Sequence, residues 1–123
     1  MEKRNTNNQI LVPTDFSDIA RIAVGHAAKV AKAYGNEITL IYVVEEGFMG
    51  GFFSKNQSAI MKDAIETKLA ARAEEVSKEF RIKVHHRVET GKVYKTIAEI
   101  ANNEAYDSII MGSHGASGLE QIM

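Results

Sequence analysis

The sequence contains no cysteine, only one proline and no long hydrophobic run. Without cysteine a disulfide framework and a thiolate zinc site are excluded, and the composition is typical of a reducing compartment, so we expect the cytoplasm. A membrane-spanning helix needs about 18 or more consecutive apolar residues, which no segment provides. The polar start MEKRNTNNQ does not lead into an apolar core, so we expect no secretory signal and predict a disordered tail over residues 1–8.

Neither sign of charge is in excess. The 15 basic and 16 acidic residues give a formal net charge of −1 and are scattered along the chain. A basic stripe that could neutralise nucleic-acid phosphates is therefore missing, and we expect no nucleic-acid partner. With 123 residues, 45% of them hydrophobic and 25% charged, the chain has the composition of one soluble globular domain.

The order of the apolar segments predicts an alternating α/β domain. Continuous or β-branched runs predict strands over 9–13, 37–44, 82–91 and 107–112, and amphipathic periodicity predicts helices over 18–34, 54–79 and 92–104. Right-handed crossovers between such strands give an open parallel sheet with helices on both faces.

The spacing of apolar residues also predicts which face of each helix is buried. The first helix should bury Ile19, Ile22, Ala23, Ala27, Val30 and Ala31. The second should bury Ile65, Leu69, Val76 and Phe80, and the third Val93, Ile97 and Ile100.

Two loops have a composition suited to ligand binding: PTDFS after the first strand and GSHGASG after the fourth. Ligands of open parallel sheets bind beyond the carboxyl ends of the strands, and an order 3-2-1-4 would make these loops neighbours. A carboxylate facing a glycine turn suits a nucleotide, because backbone N–H groups hold phosphates while the carboxylate accepts from ribose hydroxyls or an adenine amine. The motifs of the P-loop and of dinucleotide-binding domains are both absent.

The residues of these two loops also have purely structural interpretations. Asp15 taken alone fits a helix N-cap better than a ligand contact, and Gly112 and Gly115 also fit a purely structural turn. His114 is either a polar loop residue or a group beside the phosphates. Adjacent strand residues point to opposite faces, so His85 and His86 are a poor metal site, and we expect no bound metal in the protein itself.

The loop GFMGGFF, residues 47–53, places four large apolar side chains among glycines. We expect these side chains to pack on the core. A lid over the nucleotide and an exposed partner surface are the alternatives.

Four segments resemble the universal stress protein family: ILVPTDFSDIA, EITLIYVV, VETGKVYKTIAEIA and YDSIIMGSHGASGLEQ, in that order. The resemblance implies a Rossmann-like sheet of order 3-2-1-4-5. In the ATP-binding subgroup it also implies the motif G-x-x-G, nine further residues, then G-[ST]. Gly112 and Gly115 match the first half of that motif.

Carried over by position, the resemblance implies a binding site for ATP or AMP, with or without Mg²⁺. The implied contacts to adenine and ribose are Pro13, Thr14 and Asp15, with Val43 as the wall of the adenine site. Those to ribose and phosphates are Met111, Gly112, Ser113, His114 and Gly115.

The sequence departs from the family pattern at its end. The second half of the motif would fall at positions 125 and 126, beyond Met123. We therefore expect residues 9–123 to form a universal stress protein domain that lacks its last helix and fifth strand, as in a truncated chain or one half of a tandem protein. Strand four would then be an exposed apolar edge.

The function predicted from the sequence is an adenine-nucleotide-binding module that acts in the stress response through dimerisation or partner binding. The alternative is an interaction protein that keeps the fold without using a nucleotide. The sequence offers no Ser-His-Asp arrangement, cysteine nucleophile or pair of carboxylates in one loop. We therefore do not expect an enzyme, and at most slow ATP hydrolysis.

Overall fold

The computed structural model of the chain describes residues 8–45 and 55–112. Four strands alternate with three helices along these residues. The elements are β1 (Gln9–Pro13), α1 (Asp18–Tyr34), β2 (Glu37–Glu45), α2 (Lys55–Phe80), β3 (Val84–Gly91), α3 (Val93–Asn103) and β4 (Ser108–Ile109).

The strands form one parallel sheet in the order β3-β2-β1-β4, which confirms the predicted fold and strand order. β4 is shorter than predicted, because it pairs with β1 only through Ser108 and Ile109. Backbone bonds flank this short ladder: the N–H of Asp107 donates to the carbonyl of Gln9 over 2.9 Å, and that of Ile110 donates to Leu11 over 3.0 Å.

The two faces of the sheet carry different helices. Crossovers β1–α1–β2 and β2–α2–β3 step in the same direction, so right-handedness brings α1 and α2 to one face, here called the α1/α2 face. The connection through α3 steps back toward β4 and lies on the opposite face, the α3 face. Separate apolar clusters mark the two faces, one centred on Ile38, Leu40 and Leu69 and the other on Ile41 and Ile97.

Helix α1 has well-defined ends. The Oγ of Ser17 accepts a hydrogen bond from the N–H of Ala20 over 3.1 Å, which caps the amino end, and Gly35 ends the helix in the left-handed conformation with φ 71°. These local signals explain why the predicted bounds agree with the structure.

The predicted buried face of α1 is partly wrong. Ile22 and Val30 are 61% and 37% exposed, whereas alanines take most of the buried positions. The buried residues are Ala20, Ala23, Val24, Ala27, Ala28 and Ala31. Hydrophobicity patterns weight isoleucine above alanine, but close packing of a helix on a sheet favours small side chains at the contact.

The buried faces of the other two helices agree better with the prediction. In α2, Leu69 and Val76 are buried and Phe80 packs against them, while Ile65 is half-buried. Residues 55–67, the first half of that helix, include no buried residue. In α3, Ile97 is buried, and Val93 and Ile100 pack beside it.

Several predictions fall outside the described residues. They concern the loop 47–53 and the end of the chain from residue 113. The predicted tail over 1–8 also lies outside them except for Asn8, whose carbonyl accepts a hydrogen bond from the N–H of Glu37 over 2.7 Å. In the described part of the chain, no helix has both the length and the apolar character that crossing a membrane requires.

Candidate functional site

A cleft of about 770 Å³ lies at the carboxyl ends of the strands. Its walls come from the ends of β1, β2 and β4 and from the first turns of α1 and α3. Parallel strands end at the same edge of a sheet, so segments far apart in sequence meet here. The volume is within the range of pockets that hold small organic ligands, about 300–1,000 Å³.

Four hydrogen bonds fix the turn between β1 and α1, residues 14–17. The N–H of Thr14 donates to the carbonyl of Ile41 over 2.9 Å, which extends the ladder past the end of the strand. The N–H of Phe16 donates to Oγ1 of Thr14 over 3.3 Å, and that of Ser17 donates to Oδ1 of Asp15 over 3.0 Å. With the Ser17 cap already described, every residue of the turn takes part in its own geometry.

Asp15 is therefore not the N-cap of α1, because Ser17 fills that role. The cap interpretation that fits Asp15 in isolation is wrong by two residues. Asp15 instead lines the cleft with an exposed side chain whose Oδ1 steadies the turn.

The opposite wall of the cleft comes from the end of β2 and the start of α3. The N-cap position of α3 is Lys92, which forms no side-chain capping bond. Oε1 of Glu45 accepts from the N–H of Val93 over 3.4 Å, so a carboxylate from the neighbouring strand faces the amino end of the helix. Lys92, Tyr94 and Lys95 all line the cleft.

Lys92 and Lys95 are unusual because they lie at the amino end of a helix. Cations in the first turn of a helix oppose its macrodipole, and the first turn of α3 contains no acidic residue. Sequence reasoning missed Lys92 and Lys95 because their approach to the cleft depends on how α3 crosses the sheet. Glu45 was also missed, although it is the last residue of β2 and the carboxyl end of a parallel strand was the signal that could have found it.

Gly112 closes the floor of the cleft against α1. A Cβ atom at this position would lie 2.9 Å from the carbonyl oxygen and 3.1 Å from the carbonyl carbon of Ile19. Backbone atoms cannot give way as a flexible side chain can, so only glycine fits. The segment that follows β4 is thereby held against the first turn of α1.

Of the nine residues predicted to bind the nucleotide, six line this one cleft: Pro13, Thr14, Asp15, Val43, Met111 and Gly112. Pro13 is buried, Asp15 is exposed and the other four are half-buried. The remaining three, Ser113, His114 and Gly115, lie outside the described residues.

The histidines of β3 point to opposite faces, as predicted. Nε2 of His85 lies 2.7 Å from Oε1 of Glu37, and Nε2 of His86 lies 3.4 Å from Oε2 of Glu66. The hydrogen bond from His85 lowers the pKa of Glu37. Across residues 8–45 and 55–112, no three histidine, aspartate or glutamate side chains are grouped as metal ligands.

The sequence model of the universal stress protein family matches residues 6–123. The chain belongs to the universal stress protein family. The match extends over the whole described fold, including both loops that form the cleft.

Individual universal stress proteins are similar over most of their length. "Universal stress protein MJ0531" of Methanocaldococcus jannaschii is 28% identical over 122 residues, which covers 97% of this chain and 72% of the relative. "Universal stress protein MJ0577" of the same organism is 31% identical over 132 residues, covering 94% and 82%.

Solved structures share the fold. The structure of MJ0577 superposes with a TM-score of 0.68 at 31% identity, covering 93% of this chain and 80% of that one. A universal stress protein of Arabidopsis thaliana, At3g01520, solved with AMP bound, has a TM-score of 0.63 at 16% identity and covers 91% and 81%.

Proposed function

We propose that this universal stress protein binds an adenine nucleotide, ATP or AMP, in the cleft at the carboxyl ends of the strands. The observation that carries the proposal is the convergence of Asp15, Val43 and Gly112, from three separate segments, on one cleft of about 770 Å³. The AMP found in the Arabidopsis relative supports the choice of ligand class.

The residues of the cleft suit the parts of such a ligand. Val43 and Ile41 offer an apolar wall for a purine ring, and the carboxylate of Asp15 is an acceptor for ribose hydroxyls or the adenine amine. Met111 and Gly112 lead into residues 113–115, which we propose contact the phosphates. Mg²⁺ is usually held through substrate phosphates, so we propose that it accompanies ATP and is not bound to the free protein.

We propose that the protein acts by binding and not by turnover. Oδ1 of Asp15 accepts from the N–H of Ser17, and Oε1 of Glu45 accepts from that of Val93, so both carboxylates have structural roles. A dedicated base for activating water is then missing from the described wall of the cleft. Slow hydrolysis of bound ATP is the most activity that we expect.

We further propose that nucleotide occupancy controls dimerisation or binding of a protein partner during stress, in the cytoplasm. The edge of the described sheet supports this, because Ile109, the last residue of β4, is 40% exposed and the segment after it leads into the cleft. Contacts between phosphates and the segment after Gly112 would change the surface beside that edge. Light scattering with and without ATP measures the effect, and a mass that is independent of ATP contradicts this step alone.

The central test is calorimetric titration with ATP and AMP of the wild-type chain and of Asp15→Asn. Asparagine keeps an oxygen that accepts from the N–H of Ser17, so the turn survives while the charge is lost. We expect affinity to fall roughly tenfold, equivalent to about 1.4 kcal/mol. Asp63→Asn, which changes another exposed carboxylate, on α2, is the matched control and should bind as the wild type does.

Two results would contradict the proposal. Equal affinity of Asp15→Asn and the wild type would remove Asp15 from the site. Absence of binding by every variant would favour the alternative, an interaction protein that keeps the fold without a nucleotide.

A further inference from the structure

A second cavity, of about 250 Å³, lies on the other side of the 14–17 turn, between α1 and α2. Three of its lining side chains are cationic: Arg21 from α1, and Lys68 and Arg72 from α2. We call it the basic cavity. It is on the α1/α2 face of the sheet, and Thr14 and Ser17 form a wall shared with the cleft.

The basic cavity has an excess of positive charge that its own residues do not balance. Glu75 is the one acid among the described residues that line it, and its Oε1 pairs with NH1 of Arg72 over 2.9 Å. Lys68 and Arg72 are four positions apart on one helix, an arrangement of like charges that destabilises a helix. The chain as a whole has a net charge of −1, so this concentration of cations is local.

Two of the three cations are held in position. Nζ of Lys68 lies 4.6 Å from the centre of the Phe16 ring, within the range of a cation–π interaction. The side chain of Arg72 is only 18% exposed. Both charges are therefore kept near the cavity, although Lys68 is exposed and Arg72 is half-buried.

Phe16 adopts a backbone conformation that is unusual for its residue type. Its φ of 67° is in the left-handed region, which is uncommon and costs a bulky residue free energy. The conformation directs the ring toward Lys68 on one side and Tyr42 on the other, with 5.2 Å between the ring centres. The turn thus positions a cation at the expense of local strain.

We propose that the basic cavity binds a small anion of phosphate chemistry. A guanidinium group matches two phosphate oxygens with parallel N–H donors, and an ammonium adds a compact charge. A cavity of about 250 Å³ is below the usual size of a site for a drug-sized ligand but has room for a pyrophosphate group. The anion is either free phosphate or the phosphate end of a larger molecule that enters across the shared wall. This proposal does not depend on nucleotide binding in the cleft.

The test is titration of ¹⁵N-labelled protein with inorganic pyrophosphate at low ionic strength, followed by amide chemical shifts. We expect saturable shifts around Arg21, Lys68 and Arg72. Lys68→Gln and Arg72→Gln should each weaken binding roughly tenfold. Lys78→Gln is the matched control, because Lys78 is exposed on the same helix, outside the cavity, and should leave the affinity unchanged.

Two outcomes would overturn the proposal: shifts that do not saturate, or an equal loss of affinity in Lys68→Gln and Lys78→Gln, which would indicate general electrostatic attraction. Arg72→Gln also breaks the pair with Glu75, so its thermal unfolding is recorded. If that variant unfolds, Lys68→Gln still tests the proposal, because Lys68 is exposed.

A competition experiment distinguishes free phosphate from the phosphate end of a larger molecule. Displacement of pyrophosphate by ATP but not by adenosine assigns the site to a nucleotide's phosphate end, and binding of pyrophosphate unaffected by ATP assigns it to free phosphate.

Discussion

The two faces of the sheet differ in how many apolar side chains they bury. On the α1/α2 face, eleven buried side chains among the described residues form one apolar cluster. On the α3 face the corresponding cluster has three, Leu11, Ile41 and Ile97. Below that small cluster lies a polar network, and above it opens the cleft. The difference indicates that one face supplies most of the stability while the other leaves room for a ligand.

The polar network of the α3 face runs across three strands. Nε2 of Gln9 donates to Oε1 of Glu37 over 3.0 Å, and the hydroxyl of Thr39 donates to Oε1 of Gln9 over 3.3 Å. Next to it, Arg87 pairs with Glu89 at 2.9 Å and with Glu104 at 2.8 Å. The bond with Arg87 lowers the pKa of Glu104, and the same pairing raises the pKa of Arg87.

The largest difference in stability between the two faces should appear when their central side chains are truncated. Leu69→Ala removes a fully buried side chain from the large cluster and should lower the free energy of unfolding by about 3–5 kcal/mol. Ile97→Ala removes one from the small cluster beside the cleft, where water and neighbours can fill the space, and should cost about 2 kcal/mol. Urea denaturation measures both, and equal losses would contradict the proposed division of stability.

The contact between Gly112, after β4, and Ile19 of α1 provides the second test. Gly112→Ala forces a methyl group against the backbone of Ile19 and should destabilise the protein by about 1–3 kcal/mol while weakening nucleotide binding. Gly25→Ala is the matched control. No atom from outside the surrounding helix backbone lies within 4 Å of the added methyl group, and Gly25 is inside α1, so that variant should gain about 0.5–1 kcal/mol. Thermal unfolding distinguishes them, and a neutral Gly112→Ala would show that this contact can relax.

Acid should affect the α3 face first. The pKa values of Glu37 and Glu104 are lowered in the folded protein, so their contribution to stability is present above the ordinary value of 4.5 and is lost as the pH falls below it. Glu104→Gln should reduce the slope of stability against pH in that range and change little at neutral pH, because the pair with Arg87 is partly exposed. Denaturation curves collected from pH 7 down to about 3 test this, and an unchanged slope would remove the Glu104–Arg87 pair from the account.

The smallest effect should come from the lysines of the cleft. If Lys92 and Lys95 face the phosphates of a bound nucleotide, the double change to glutamine should weaken ATP by a few-fold and adenosine hardly at all. The double change of Lys29 and Lys32 to glutamine, on the exposed side of α1, removes the same two charges and is the control. Calorimetry with adenosine, AMP and ATP gives the dependence on phosphate number, and equal losses for all three ligands would indicate another role.

Much of the fold could be predicted because its signals are local. Continuous apolar runs identify β1 and β2 as buried strands, and Ser17 and Gly35 mark the ends of α1. The meeting of Asp15 with Gly112 could also be predicted, since it follows from the common direction of parallel strands.

What escaped prediction depends on packing. Which face of α1 packs on the sheet depends on how closely its alanines allow the helix to approach the strands. A hydrophobicity pattern does not contain this information. Glu45 caps a helix that begins far along the chain, and Arg21 meets Arg72 only because α1 and α2 are neighbours. In the sequence alone, each of these charged residues looks like an ordinary solvent-exposed residue.

The alanines through which α1 packs limit which amino acids can replace them. Because Ala27, Ala28 and Ala31 are each at most 1% exposed, an added methyl group there would press on the packed side chains of the α1/α2 face. Glycine or serine would keep the helix at its depth, whereas valine or leucine would lift it and carry the 14–17 turn along. None of these three side chains lines either cavity, yet we expect them to influence the width of both through the depth of α1. A library randomised at these positions should be enriched for residues no larger than alanine among variants that retain binding.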